Sequence, residues 1–194
     1  MLFAAMLVSC GKNDGNTIKL SSGLKIFVTA STHNGDFDND TTLQGATGID
    51  KADFFCNKDL NKPNSSTYKA LIVDGVNRDA ATRINWVLAP NTKYYRSYND
   101  VEIGVTTNDA IFTIPLTNSI ADAPSSPSNA AWTGIADISN YSANSSLNCG
   151  NWADRNSHSV IGFIFERSSY AFTQPSTVMY GCGGTFFLYC VEQP

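Results

Sequence analysis

The placement of cysteines constrains this chain more than any other feature. Five occur, Cys10, Cys56, Cys149, Cys182 and Cys190, and the first stands apart. It closes the apolar run MLFAAMLVS and is followed at once by small and polar residues, GKNDGN. The other four lie in a polar sequence rich in Ser, Thr and Asn. An even number of cysteines in such a setting suits a disulfide framework assembled outside the reducing cytosol. Four cysteines allow three pairings, and counting alone selects none of them.

Leu7-Val8-Ser9-Cys10 has the shape of a lipobox: branched apolar residues, a small residue, then a cysteine that is acylated and becomes the mature N-terminus. The run before it matches the hydrophobic core of a secretion signal, with small residues near the cleavage point. A core strand is the competing reading of Met1 to Val8, but nothing in that run alternates. No basic residue precedes Cys10, whereas a signal begins with one. This reading therefore expects the true start to lie upstream or the start codon to have been assigned late. Residues 1–9 are expected to be a lipoprotein signal, Cys10 the lipidated residue and residues 10–20 a flexible tether. Residues 21–194 remain as a single domain. No apolar stretch reaches the ~18 residues of a spanning helix, so the membrane is expected to be reached through the lipid.

A hydrophobic content of 42% is enough to build a core, while charged residues make up only 15%. Thirteen basic against seventeen acidic residues give a net charge of −4. A nucleic-acid binder would show a clustered basic face instead, and none is present.

Leu20 to Ala30 reads as a first strand, and THNGDFDNDTTLQGATG after it reads as loop. Thr47-Gly48-Ile49-Asp50 is a variant of the capping box and opens a helix. In that helix Ile49, Ala52, Cys56 and Leu60 form one apolar stripe, with Pro63 as the stop. Tyr68 to Val73 reads as a second strand. Arg78 to Leu88 carries Ala81, Ile84, Val87 and Leu88 at helical spacing and reads as a second helix. A long strand-rich and loop-rich region follows, so the order points to α+β.

Several pieces then occur in a telling order: G-x2-G-x-D-K-A-D-F-F-C from Gly45 to Cys56, YKALIV, INWVL, WTGI, a cysteine close to Trp152, a late cysteine, and FLYCVEQ. In this order and spacing the chain resembles a family of bacterial lipoprotein domains best known from spirochaetes. That family in turn is similar to the endostatin branch of the C-type-lectin-like fold. The likeness covers about residues 24–193. It implies an antiparallel sheet with two helices and long loops, and two nested disulfides, Cys56–Cys190 and Cys149–Cys182. Other properties of those relatives do not carry over. Only His33 and His158 are available for an endostatin-type zinc site, and the arginines are scattered. The calcium-lectin triplets are replaced by Gln174-Pro175-Ser176 and Asn151-Trp152-Ala153-Asp154.

Three groups are candidate sites. Asp36, Asp38 and Asp40 have the alternating spacing of a calcium loop, but Thr41 and Thr47 stand where an EF-hand needs Gly and Glu. A solvated turn is the better reading, with calcium as the candidate ion and no other cofactor expected. Asn148, Asn151 and Asp154 crowd around Cys149 and Trp152, where they either meet a ligand or brace a disulfide loop. Tyr94, Tyr95, Arg96 and Tyr98 have the composition of a protein-binding patch, with inward packing of half of them as the competing reading.

Catalytic motifs are absent from the sequence: no G-x-S-x-G, H-E-x-x-H or P-loop occurs. Ser157-His158-Ser159 has no identifiable orienting acid. The expectation is a monomeric, non-catalytic lipoprotein of the cell envelope, in the outer membrane or at the cell surface. It would bind host matrix or plasma proteins, or glycans, and not nucleic acid. The other readings are a structural envelope lipoprotein without a host ligand and, last, a hydrolase using His158.

Overall fold

The final strand organises the domain. In the computed structural model, which describes residues 23–175 and 178–194, the apolar run TFFLYCVE becomes the longest strand and pairs with four others. The signal, Cys10 and tether assignments lie outside the described residues. In chain order come β1 (Leu24–Val28), β2 (His33–Asn34), α1 (Gly48–Lys58), β3 (Tyr68–Ala70), β4 (Lys93–Arg96), β5 (Glu102–Val105), β6 (Ala130–Trp132) and β7 (Ile135–Asp137). There follow β8 (Ser142–Ala143), α2 (Cys149–Trp152), β9 (His158–Ser159), β10 (Ile161–Phe163), a short 3-10 turn (Ser169–Ala171), β11 (Tyr180–Gly181) and β12 (Thr185–Glu192).

The main sheet runs β10-β6-β12-β1-β4-β5, with β2 and β3 also paired to β12. Phe27 of β1 lies opposite Cys190 and Ala70 of β3 faces the same Cys190, so β12 is hydrogen-bonded on both sides there. The sheet is mixed, not antiparallel as expected: β1 pairs with β4 and β12 with β6 in parallel. Parallel neighbours require a crossover, and α1 with β3 supplies the one between β1 and β4. The result is an α+β, mostly-sheet domain with two helical elements.

Both faces of the sheet are buried. On β12, Leu188 and Cys190 join one apolar cluster with Phe27, Ile49, Ala52 and Trp132, while Tyr189 and Val191 join another with Ile26, Tyr94 and Ile103. Successive side chains point to opposite faces, so a strand covered on both reads as an unbroken apolar run. Each fully buried aliphatic side chain contributes roughly 1.5–3 kcal/mol.

Helix α1 starts as its sequence dictates. The Thr47 hydroxyl caps it, accepting the Asp50 N–H at 3.2 Å. Ile49, Ala52 and Cys56 face inward. The stripe stops one member early, because the helix ends at Lys58 and Leu60 is 90% exposed. The bridges Cys56–Cys190 and Cys149–Cys182 are both present, the pairing that the resemblance implied. The first pins α1 to β12.

The second helix does not form over Arg78 to Leu88. Arg83 and Asn85 take positive φ there, and an isolated bridge joins Asp79 to Ile84. The cause is tertiary. Arg78 is drawn into the interior, where its guanidinium makes two bonds to Asp53 of α1 and others to the carbonyls of Ala70 and Asn85. The second helical element is α2, whose Cys149, Gly150, Asn151 and Trp152 all have φ between 54° and 63°. This is a left-handed turn, costing roughly 1–2 kcal/mol for each non-glycine residue in it. A disulfide, the Asn148 cap and the bond from the Trp152 indole to the Val73 carbonyl hold it.

Candidate functional site

The tyrosine-rich stretch splits on folding. Strand alternation sends Tyr94 and Arg96 into the interior, leaves Tyr95 half-buried beside the Lys25 ammonium (5.4 Å from its ring), and brings Tyr98 out on the turn beyond β4. Burial pushes the Tyr94 phenol up to about 12, and its oxygen accepts the Ala89 N–H. Tyr94 is therefore a core residue. Tyr98 is 59% exposed and is the member of the group that a partner can reach.

Arg96 prepares the surface on which Tyr98 sits. Its side chain is only 4% exposed and makes an ion pair with Asp122 at 2.5 Å. It also donates from Nε to the Ser119 carbonyl (2.8 Å) and from Nη2 to the Ser119 hydroxyl (2.7 Å). The Tyr98 phenol accepts the Asp122 N–H at 2.9 Å and lies 3.3 Å from both Arg96 Nη1 and Asp122 Oδ2. A buried cation thus fixes a carboxylate and, through it, an exposed aromatic ring. Holding the ring beforehand lowers the entropic cost of binding.

Beside this clamp lies a hollow of about 290 Å³, walled by Phe27, Val28, Asn61, Ser97, Tyr98, Ala121 and Asp122. It combines an apolar floor, an aromatic wall and convergent amide, hydroxyl and carboxylate groups, the mixture found in sites that orient a small ligand or a projecting side chain. The Asn61 amide is fixed by donating to the Val28 carbonyl at 2.9 Å.

Sequence reasoning pointed to Tyr98 and missed Asp122, Asn61 and Phe27. Asp122 belongs to ADAPSSPSNA, where turn chemistry was the visible signal. Its role depends on a strand far away in sequence.

The other candidate groups come together only in part, with Asp36 and Asp40 lining one hollow beside His33, Asn39 and Arg155. The Asp36 carboxylate accepts from the Asn39 amide, Asp38 lies 3.9 Å from the Lys51 ammonium, and Asp40 meets the His33 ring at 3.0 Å. Among the described residues no group of three or more His, Cys, Asp or Glu could hold a metal ion. The Thr42 hydroxyl, the His33 ring and the Thr42 N–H together bring the Asp40 carboxyl down to about 2. This loop is a set of turns tied to the α2 region by the Asp38 N–H, which donates to the Trp152 carbonyl, and the Asn39 amide, which donates to the Ala153 carbonyl.

Asn148 is buried, and its amide bonds the Asp74 carbonyl and Asn151 Oδ1 while its oxygen caps α2. Asn151 and Asp154 are exposed on either side of Trp152. The Asp154 carboxylate accepts the Asn156 N–H. Asn148 therefore braces the loop, and only Asn151 and Asp154 face outward. His158 is exposed on β9, and its neighbour Ser159 is buried with its hydroxyl committed to the Leu147 carbonyl (3.0 Å).

A family model described as a protein of unknown function, DUF1554, matches residues 32–168. No curated protein matches the chain.

Proposed function

This chain belongs to the DUF1554 family, and on that premise we propose that it is a lipid-anchored binding module of the cell envelope. Cys10 carries the lipid, residues 10–20 form the tether, and the domain is presented outside the inner membrane as a monomer. We place the domain in the C-type-lectin-like fold, in its endostatin-like branch. The bridge from the first helix to the last strand, the second bridge inside the loop-rich half and the pairing of β1 with β12 support that reading.

The module works without catalysis, by binding a host matrix or plasma protein, or a glycan, at the hollow beside Tyr98. The observation that carries this is the clamp in which buried Arg96 holds Asp122 and Tyr98 in place. Loops on a rigid scaffold are where binding residues concentrate, and a rigid aromatic next to a polar group is a common anchor.

The test is binding of the full chain to a panel of matrix proteins, plasma proteins and glycans, each run in calcium and in EDTA. A saturable interaction indifferent to EDTA is expected. Tyr98→Ala should weaken it by roughly thirtyfold, the effect of losing an anchor worth ~2 kcal/mol, while Tyr98→Phe should keep most of it. Silence across the panel, or an unchanged Tyr98→Ala affinity with an intact near-ultraviolet circular dichroism spectrum, overturns the proposal.

A further inference from the structure

In the segment Ile161-Gly-Phe-Ile-Phe-Glu166, Ile161, Gly162 and Ile164 are buried and both phenylalanines are half-buried. Phe163 ends the outermost strand, β10, and in the turn that follows Ile164 is buried while Phe165, like Phe163, stays half-buried. Their rings stack nearly parallel, with centroids 5.4 Å apart and planes 15° off. The 3-10 turn presses against this strand so closely that a Cβ on Gly162 would lie 2.0 Å from the Ala171 carbonyl oxygen. That contact fixes Tyr170, which is 44% exposed, relative to the two phenylalanines. Between strand, turn and Pro127 lies a hollow of about 410 Å³, larger than the one beside Tyr98. The two hollows share no lining residue.

Its electrostatics are also different. Asp122, in the Tyr98 hollow, is neutralised by Arg96. Here Glu166 is the one charged residue among the described lining residues. One carboxylate oxygen accepts from the Ser168 hydroxyl at 3.0 Å, and the other accepts nothing among the described residues. The adjacent Arg167 directs its Nε to the Leu116 carbonyl at 3.0 Å and makes no ion pair with Glu166. The hollow is therefore aromatic, half-buried and negatively charged at one rim.

An anion would be repelled by this arrangement. A purely aliphatic partner would cover the carboxylate without compensating for its lost water. A cation satisfies both components, since it is attracted to aromatic faces and to the carboxylate. The parallel pair of rings selects further. A planar guanidinium extends the stack as another layer and offers paired N–H groups to Glu166, whereas a lysine ammonium is a point charge without a plane. We infer that this hollow receives an arginine side chain of a partner protein, a contact separate from the Tyr98 site.

The test titrates the full chain with N-acetyl-arginine amide, N-acetyl-lysine amide and N-acetyl-norleucine amide, following the aromatic resonances of Phe163, Phe165 and Tyr170 by NMR. The arginine derivative should bind most tightly and shift these three residues together. Glu166→Gln should weaken it twofold to fivefold, the range for one partly exposed charge contact worth up to ~1 kcal/mol. Phe165→Ala should weaken it further, with the urea midpoint reporting that the domain remains folded. Tyr98→Ala should leave it unchanged.

A norleucine derivative that binds as tightly as arginine would show a merely apolar hollow and overturn the inference. Equal binding of lysine would overturn the stacked guanidinium, and an unaltered Glu166→Gln affinity would remove the charge contact. Absence of saturable shifts up to about 50 mM, where even ~2 kcal/mol of binding is visible, would also overturn it.

Discussion

Removal of Asp53 should destabilise the domain more than its position on a helix surface suggests. Its carboxylate holds Arg78, which is completely buried, through bonds of 2.9 and 2.7 Å, and also accepts the Ala70 N–H at 2.8 Å. Asp53→Ala leaves a buried guanidinium without its counter-charge and a strand N–H without an acceptor. Breaking a buried pair on one side costs about 3–5 kcal/mol. The Asp53 side chain keeps 16% exposure, so water relieves part of this and places the loss in the lower half of that range. Arg78→Met should cost a similar amount, because the carboxylate and the Ala70 and Asn85 carbonyls then lose their donor. The double variant should fall short of the sum by about 1–3 kcal/mol, the upper part of the range for groups in contact. Urea unfolding with the disulfides intact, compared at constant slope, measures all three. A loss below ~1 kcal/mol for Asp53→Ala, the worth of a solvent-exposed pair, or strict additivity would refute the buried-clamp account.

Packing makes opposite predictions for two glycines. Gly162→Ala should cost well over ~2 kcal/mol, because its Cβ would overlap the Ala171 carbonyl, while Gly181 meets nothing within 4 Å and Gly181→Ala should be neutral or stabilising by ~0.4–1 kcal/mol; thermal unfolding distinguishes them. Asp40 sets an acid response. With its carboxyl brought down from 3.8 to about 2, it stabilises the fold above the ordinary value and loses that contribution as pH falls through about 2. The stability curves of the wild type and Asp40→Asn should therefore converge between pH 4 and 2, and a constant offset would contradict this. Of the two bridges, Cys56–Cys190 spans 134 residues and Cys149–Cys182 spans 33. On the chain-entropy account they stabilise by roughly 5 and 3.5 kcal/mol, so paired serine replacements should lower the unfolding temperature in that order.

The start of α1 was legible because its causes are local. The Thr47 cap and the 3.6-residue recurrence of Ile49, Ala52 and Cys56 lie within ten residues of one another. The same reasoning failed at Arg78 to Leu88, where an equally good helical pattern was overridden by the pull of Asp53 on Arg78. It failed again at α2, because a left-handed turn has no periodic signature and persists only where a disulfide and buried bonds hold it. The parallel pairing of β1 with β4 was equally invisible, since the crossover between them, not the strand sequences, sets direction.

For the candidate sites the division is similar. The sequence alone determined the chemistry on offer: aromatic and arginine side chains between Tyr94 and Tyr98, aromatics and a carboxylate between Phe163 and Tyr170, and acidic residues at alternating positions from Asp36 to Asp40. Tertiary structure decided which of these are available. It buried Tyr94 and Arg96, tied Asp38 and Asp40 to separate partners, and set Asp122 against a tyrosine 24 residues away. Side-chain identity is fixed by the covalent chain, but exposure and charge compensation depend on which distant segments are brought together when both faces of the sheet are covered.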